Sequence, residues 1–260
     1  MVKLSAVIIT YNEEKNIGRC LESLKPVADE IVVVDSLSTD RTREICFSHN
    51  VIVTEQPFLG YKEQKNFAIS KASYHDVLSL DADEALSKKL SESILNEKRK
   101  GFPADGYTMN RLNYYCGKWI RHGTYYPDRK LRLLNKKKGI WGGRNPHDTI
   151  IMQKSAVVRH LRGDLLHYTY QSAAEHARKT EIFSSIAAQS LFDEGVKPSY
   201  FKMYINSSWA FLKSYFFKLG FLDGREGFRI ARFTVWRSFL KYKKLNSLYK
   251  KSHKTNAGKF

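Results

Sequence analysis

Only three cysteines, Cys20, Cys46 and Cys116, occur in 260 residues, and they stand far apart with no CxxC pair. An odd, scattered set argues against a disulfide framework or a zinc knuckle and suits a reducing cytosol. No glycine-rich loop follows the first apolar run, where TYNEEKN stands instead. Neither the dinucleotide fingerprint nor the Walker phosphate loop is therefore present. No apolar run spans a bilayer comfortably: WAFLKSYFFKLGFL, residues 209–222, is broken by Lys213 and Lys218. The opening MVKLSAVIITYNEE turns polar without a small-residue cleavage site, so it reads as a first strand and not a signal peptide. No internal repeat or low-complexity linker divides the chain.

What is present is a globular balance, 42% hydrophobic and 27% charged, with the charge unevenly placed. Residues 1–100 carry 14 basic and 16 acidic residues, whereas residues 101–260 carry 30 and 10. Residues 201–260 alone hold 14 basic and 2 acidic residues. A nearly neutral front thus precedes a strongly basic back, which suits an anionic membrane surface or nucleic acid, or is a solvated lysine-rich end.

Strand and helix patterns alternate through the front. Leu4–Thr10, Ile31–Val34, Val51–Thr54 and Val77–Leu80 are short apolar runs, and residues 12–25, 43–48, 61–71 and 87–99 have helical spacing. The runs are continuously apolar, as expected when helices cover both faces of a parallel sheet. After about residue 105 the rhythm changes. Tyr107–Tyr115, Lys130–Leu134 and Ala156–Val158 read as strands of a mixed sheet, and 171–195, 199–219 and 225–243 as helices. The expected organisation is one α/β domain over 1–198, with a donor half to about 104 and an acceptor half from 105. A basic, aromatic helical extension over 199–260 follows.

Ligands of open α/β sheets bind beyond the carboxyl ends of the strands. Strand one delivers Thr10, Tyr11, Asn12 and Glu13 there, strand two Asp35 and Ser36, and strand four Asp81, Ala82 and Asp83. A DxD pair suits Mg²⁺ or Mn²⁺, which take oxygen ligands and bridge carboxylates to substrate phosphates.

Taken together, TYNEE, VVVDSLSTDRT, QKNFA and LSLDADEALS resemble glycosyltransferase family 2 with its GT-A fold. WGGRNPHD, LHYTY and LGFLDGREGF resemble the branch that includes lipopolysaccharide-core β-glucosyltransferases. The resemblance implies inverting transfer from a UDP-sugar, with UDP-glucose as first guess, to a glycan or glycolipid acceptor at the cytoplasmic face of the inner membrane. It implies that Thr10, Tyr11 and Glu13 line the nucleoside pocket and that Asp35 accepts from the uracil N–H. Gln64 and Lys65 would lie beside the base or phosphates. Asp81 and Ala82 would meet the donor, and Asp83 would hold the metal. The family's base matches Asp148 in the His147–Asp148 pair, and His167 is the candidate to complete the metal shell. Trp141, His147 and Arg129 mark the acceptor region.

Each residue also has a plainer reading. Asp35 and Ser36 suit a helix N-cap, Glu13 a first-turn acid facing the dipole, Asp81–Asp83 a solvated turn, and Trp141 a core aromatic. Arg129 and Arg132 are read as sharing one strand face by period-two spacing, facing phosphate or an anionic acceptor. Residues 199–260 suit a membrane surface or a helix packed on the domain. Two other functions compete, as does a catalytically dead scaffold of the same fold, which the intact Asp83 and Asp148 argue against. A sugar-phosphate nucleotidyltransferase would need a glycine- and arginine-rich first loop. A nucleic-acid binder is at odds with the strand-end acids, and no nucleic acid is expected.

Overall fold

The computed structural model describes residues 2–144 and 147–257. Its strands are β1 (Leu4–Thr10), β2 (Glu30–Asp35), β3 (Ile52–Glu55), β4 (Asp76–Asp81), β5 (Glu84–Leu86), β6 (Gly106–Tyr115), β7 (Lys118–Ile120), β8 (Asp128–Asn135), β9 (Gly139–Arg144), β10 (His147–Met152) and β11 (Val158–Tyr170). Its helices are α1 (Ile17–Leu24), α2 (Thr42–Ser48), α3 (Tyr61–Lys71), α4 (Lys88–Arg99), α5 (Ala173–Asp193), α6 (Tyr200–Leu212) and α7 (Gly224–Ala257).

The main sheet runs in the order β3-β2-β1-β4-β8-β6-β11-β5. β1, β2, β3 and β4 pair in parallel, and β8 then joins β4 and β6 antiparallel. This is the α/β GT-A arrangement, mostly parallel in front and mixed behind. The continuous apolar runs are explained by two cores. Ala6, Ile8 and Val33 pack with α1 and α4 residues such as Leu21 and Leu90. Val7, Val32 and Val34 pack with Ala68 and Ile69 of α3. Successive strand residues point to opposite faces, so each face needs its own apolar set.

Several expectations shift. The first helix begins at Ile17 and not at 12, because Asn12 sits in the left-handed region at φ 53°. Of the short strand expected at 156–158 only Val158 lies in a strand, as the first residue of the 13-residue β11. The β9–β10 hairpin was not anticipated. The predicted 199–219 helix gives way after Leu212 to a π-helical turn, Lys213–Phe217.

The chain forms two compact units. The first comprises residues up to Asn113 and Asp128–Thr169, and the second Tyr114–Pro127 with residues from Tyr170 onward. The sequence-based expectation sets a catalytic domain over 1–198 and a helical extension from 199. α5 packs along α7, which draws everything from Tyr170 onward into the helical unit. In the first unit β11 crosses the start of α4 closely. At Gly163, where φ is 101°, a Cβ would come within 2.4 Å of the Leu90 nitrogen, so only glycine fits. No described helix is long and apolar enough to cross a membrane.

Candidate active site

The carboxyl ends of the parallel strands lie in register, Thr10 beside Asp35 and Ile9 beside Asp81. The loops after β1 and β2 are tied together. Asn12 N donates to Ser38 Oγ at 2.9 Å, Glu13 N to Thr42 Oγ1 at 2.8 Å, and Thr39 N to Asn12 Oδ1 at 2.8 Å. Tyr11 projects from this pair of loops with 57% of its surface exposed, while Thr10 is buried. Glu13 accepts from Asn16 Nδ2 at the start of α1.

Asp35 is fully buried, and its two oxygens accept from Ser38 N and Ser38 Oγ at 2.7 and 2.5 Å. Its local role here is to close the turn after β2; it does not cap α2, which starts at Thr42 with Arg41 at its N-cap. Two neighbouring groups lack partners: Thr10 Oγ1 and Gln64 Oε1 are both buried without a hydrogen bond. Unpaired buried polar atoms are costly and call for a water or a ligand.

The QKN run of α3 makes three separate ties, because consecutive helical residues point about 100° apart. Gln64 Nε2 donates to Ser36 Oγ and to the Gln56 carbonyl, each at 3.0 Å. Lys65 Nζ lies 3.1 Å from Asp81 Oδ1 and 2.8 Å from Asp148 Oδ2. Asn66 Nδ2 donates to the Trp141 carbonyl at 2.9 Å, and its Oδ1 accepts from Trp141 N at 3.0 Å. α3 thereby positions the β9–β10 hairpin, on which Asp148 stands opposite Gly143. Trp141 is 3% exposed and donates through Nε1 to Ser79 Oγ. Lys65 lies over its ring at 4.3 Å, so the indole is a core wall beneath the cations and not an open sugar platform. The His147 side chain lies outside the described residues.

The three acids of DADE separate. Glu84, fully buried, accepts from Arg132 Nη2 at 2.7 Å. The same nitrogen donates to Asp81 Oδ2 at 3.1 Å. Burial pushes the Asp81 carboxyl upward, but the Lys65 and Arg132 charges more than offset that and hold it well below the usual carboxylate range. Burial likewise works against the Arg132 cation, and Glu84 and Asp81 raise it above its ordinary value. Arg132 reaches this cluster through a bulge. β6 pairs Tyr107 with Leu133 and Thr108 with Leu131, leaving Arg132 as the extra residue. A bulge re-aims a side chain. Arg129 is exposed and Arg132 is 3% exposed, so the two do not share an environment. Residues of a regular strand share a face only at even separation, and these stand three apart. Arg129 instead lies near enough to His160 that, after burial, its charge helps lower that histidine's pKa.

Asp83 faces the other way. Its Oδ2 lies 3.3 Å from His167 Nε2, on β11. β5 pairs antiparallel with β11, setting His167 opposite Glu84, and Tyr168 N donates to the Asp83 carbonyl at 2.9 Å. His167 Nδ1 stands 2.7 Å from Asn113 Oδ1, which also accepts from Thr169 Oγ1 at 3.0 Å. A carbonyl oxygen only accepts, so Nδ1 carries a proton, and this bond holds the ring with Nε2 turned toward Asp83. An acceptor placed behind a metal-ligating histidine is the usual device for fixing its tautomer. Among the described residues no group of three or more His, Cys, Asp or Glu side chains could enclose a metal. The pair nonetheless fits a cation that takes one or two protein ligands and completes its shell with substrate phosphates.

Sequence reasoning overlooked Ser38, Asn66 and Asn113 and gave Glu84 no role. Asn66 and Asn113 act through partners distant in sequence, and Ser38 and Glu84 join local contacts to distant ones, to Asn12 and Arg132. Asn66, inside the QKN run, and Glu84, next to Asp83, stood beside residues already singled out.

Several known proteins are similar to this chain. An uncharacterized glycosyltransferase of Rickettsia typhi is 33% identical over 263 residues, covering 97% of this chain and 89% of the relative. The lipopolysaccharide core biosynthesis glycosyltransferase LpsC of Rhizobium meliloti is 32% identical over 219 residues, covering 82% and 80%. A crystal structure of Mycobacterium tuberculosis glucosyl-3-phosphoglycerate synthase is 21% identical and superposes over 44% of each chain with a TM-score of 0.36. The profile described as Glycosyl transferase family 2 matches residues 5–161, more than half the chain. The chain belongs to glycosyl transferase family 2.

Proposed function

We propose that the chain moves a hexose from a UDP-sugar, UDP-glucose first among them, to a hydroxyl of a lipid-linked glycan such as lipopolysaccharide core. The transfer is a single displacement with inversion, at the cytoplasmic face of the inner membrane. The observation that carries the donor half is the Asp83–His167 pair, 3.3 Å apart beyond the end of β4. LpsC, named for lipopolysaccharide core biosynthesis, supports the acceptor class. Family membership sets aside the nucleotidyltransferase and nucleic-acid alternatives.

Asp83 and His167 would hold Mg²⁺ or Mn²⁺, which when bound neutralises the diphosphate and eases its departure. Tyr11 offers an exposed ring to the nucleoside, and the unpaired Thr10 Oγ1 and Gln64 Oε1 offer it hydrogen bonds. Lys65 supplies a cation beside the leaving phosphates. Asp148 takes the proton from the acceptor hydroxyl, and Lys65, 2.8 Å away, positions that carboxylate. Asp81, fixed by Lys65 and Arg132, faces the donor ribose or sugar.

Calorimetry with a panel of UDP-sugars, with and without Mn²⁺, tests this reading. Binding should select among the sugars and tighten with the metal. Binding indifferent to both would remove the metal assignment and the donor assignment together.

A further inference from the structure

α6 is amphipathic in an inverted sense. Phe201, Tyr204, Ile205, Trp209 and Leu212 follow one another at helical spacing, and all are exposed, from 43% to 74%. The face turned inward instead holds Met203 and Ser207. A helix that only packs on its own unit buries its apolar stripe. The exposed apolar surface continues past the helix through Phe216, Phe217, Leu219, Phe221 and Leu222. A groove of about 660 Å³ between α6 and α7, lined by Phe211, Leu212, Trp236 and Phe239, opens among the same elements. Surface of this extent on one face marks an interaction site.

The charges around it are of one sign. Lys202, Lys213, Lys218, Arg225 and Arg232 are exposed, and none has an acidic ion-pair partner among the described residues. From Tyr200 onward the only acids are Asp223 and Glu226. Asp223 is buried and accepts from the Arg121 and His122 nitrogens, and Glu226 lies 3.8 Å from Arg229. A second copy would bring the same cations face to face. A nucleic acid would match the cations but leave the leucine, isoleucine and phenylalanine stripe without a partner. An anionic lipid surface matches both.

We propose that α6 and the turns following it form a membrane-docking surface. The ridge from Phe201 to Leu222 enters the headgroup boundary of an anionic bilayer, and the five cations meet lipid phosphates. This deepens the lipid-linked acceptor reading but does not need it. Vesicle binding requires neither donor nor metal, so its failure would leave the transfer reading standing.

The test uses the full chain, without donor, in flotation with phosphatidylcholine vesicles lacking or containing roughly 30% phosphatidylglycerol, an anionic lipid. The protein should float with the anionic vesicles, less so at high salt. K213A/K218A should weaken partition roughly thirtyfold, from the attraction each cation contributes near such a surface. W209S/L212S should abolish flotation with an unchanged circular dichroism spectrum and melting point, since both residues are exposed. No flotation, or flotation that W209S/L212S leaves intact, overturns the proposal. Equal recovery on neutral vesicles overturns the part played by the cations. A dimer that the same substitutions dissolve, without vesicle binding, assigns the face to a second copy and overturns it as well.

Discussion

Lys65 Nζ stands 2.8 Å from Asp148 Oδ2, and the same ammonium lies 3.1 Å from Asp81 Oδ1. One cation on α3 therefore joins the acid that ends β4 to the acid on the β9–β10 hairpin, 67 positions later in the chain. An acceptor hydroxyl must therefore compete with the lysine for the carboxylate proposed as base. Asp148→Asn should lower sugar transfer by about 10²–10⁴-fold, the usual worth of a general base. UDP binding measured by calorimetry should survive. Near-normal transfer by that variant would remove Asp148 from the chemistry.

Lys65 also has a structural consequence. Its side chain is 6% exposed and that of Asp148 10% exposed, so Lys65→Met leaves carboxylates facing one another with little water. Denaturant unfolding should show a loss of about 3 kcal/mol, the scale for breaking a buried pair. Adding Asp148→Asn to Lys65→Met should recover much of it, because a neutral amide needs no counter-ion. Additive losses in the double variant would mean that the two residues are not coupled.

Behind the proposed metal site, Asn113→Ala removes the acceptor that orients His167 Nδ1. Mn²⁺ affinity, titrated in the presence of UDP, should fall about 10–100-fold, as for other outer-sphere partners of metal-binding histidines. His167→Ala should weaken it at least as much. An Asn113 variant that binds Mn²⁺ like the wild type would detach His167 from the site.

In the second unit His176 is stacked between the Tyr170 and Phe233 rings, with the Tyr115 hydroxyl 3.1 Å from Nδ1. Burial first, then the Arg237 and Lys179 charges, lower its pKa to about 4, and Glu175 opposes them only weakly. The folded state thus binds this proton less readily than the unfolded chain does. Stability from neutral His176 is complete above about pH 6.5 and is lost as pH falls toward the folded value, by about 3 kcal/mol in all. Denaturant titrations at pH 7 and pH 4.5 should show that loss, and His176→Phe should shrink it. Asp81 is also lowered, so its contribution persists into acid and disappears only below the ordinary carboxylate range.

Legibility from sequence followed the range of the interactions. β1, β2 and β4 were plain because each is an apolar run ended by polar residues at the sheet's carboxyl edge. α1 was overextended because the segment before it is held by Ser38 and Thr42, contacts no periodicity encodes. The hairpin after residue 138 was missed because WGGRNP carries neither alternation nor a strong apolar run. The compact units are not legible locally, because α5 takes its partner, α7, from the far end of the chain. In the site, motifs drew attention to Asp81, Lys65 and Asp148, which the fold brings together. Glu84, Arg132 and Asn113 could be understood only once their partners were in place.

The bulge at Arg132 sets a regular ladder against a placed cation. Deleting that one residue would let β8 and β6 pair without interruption and would tidy the sheet. It would also leave Glu84 buried with only the more distant Arg111 nearby, and Asp81 with one cation in place of two. The irregularity is thus a form of spatial memory. One surplus residue in a strand records where the acids of another strand must be neutralised, and a repaired strand would have lost that record.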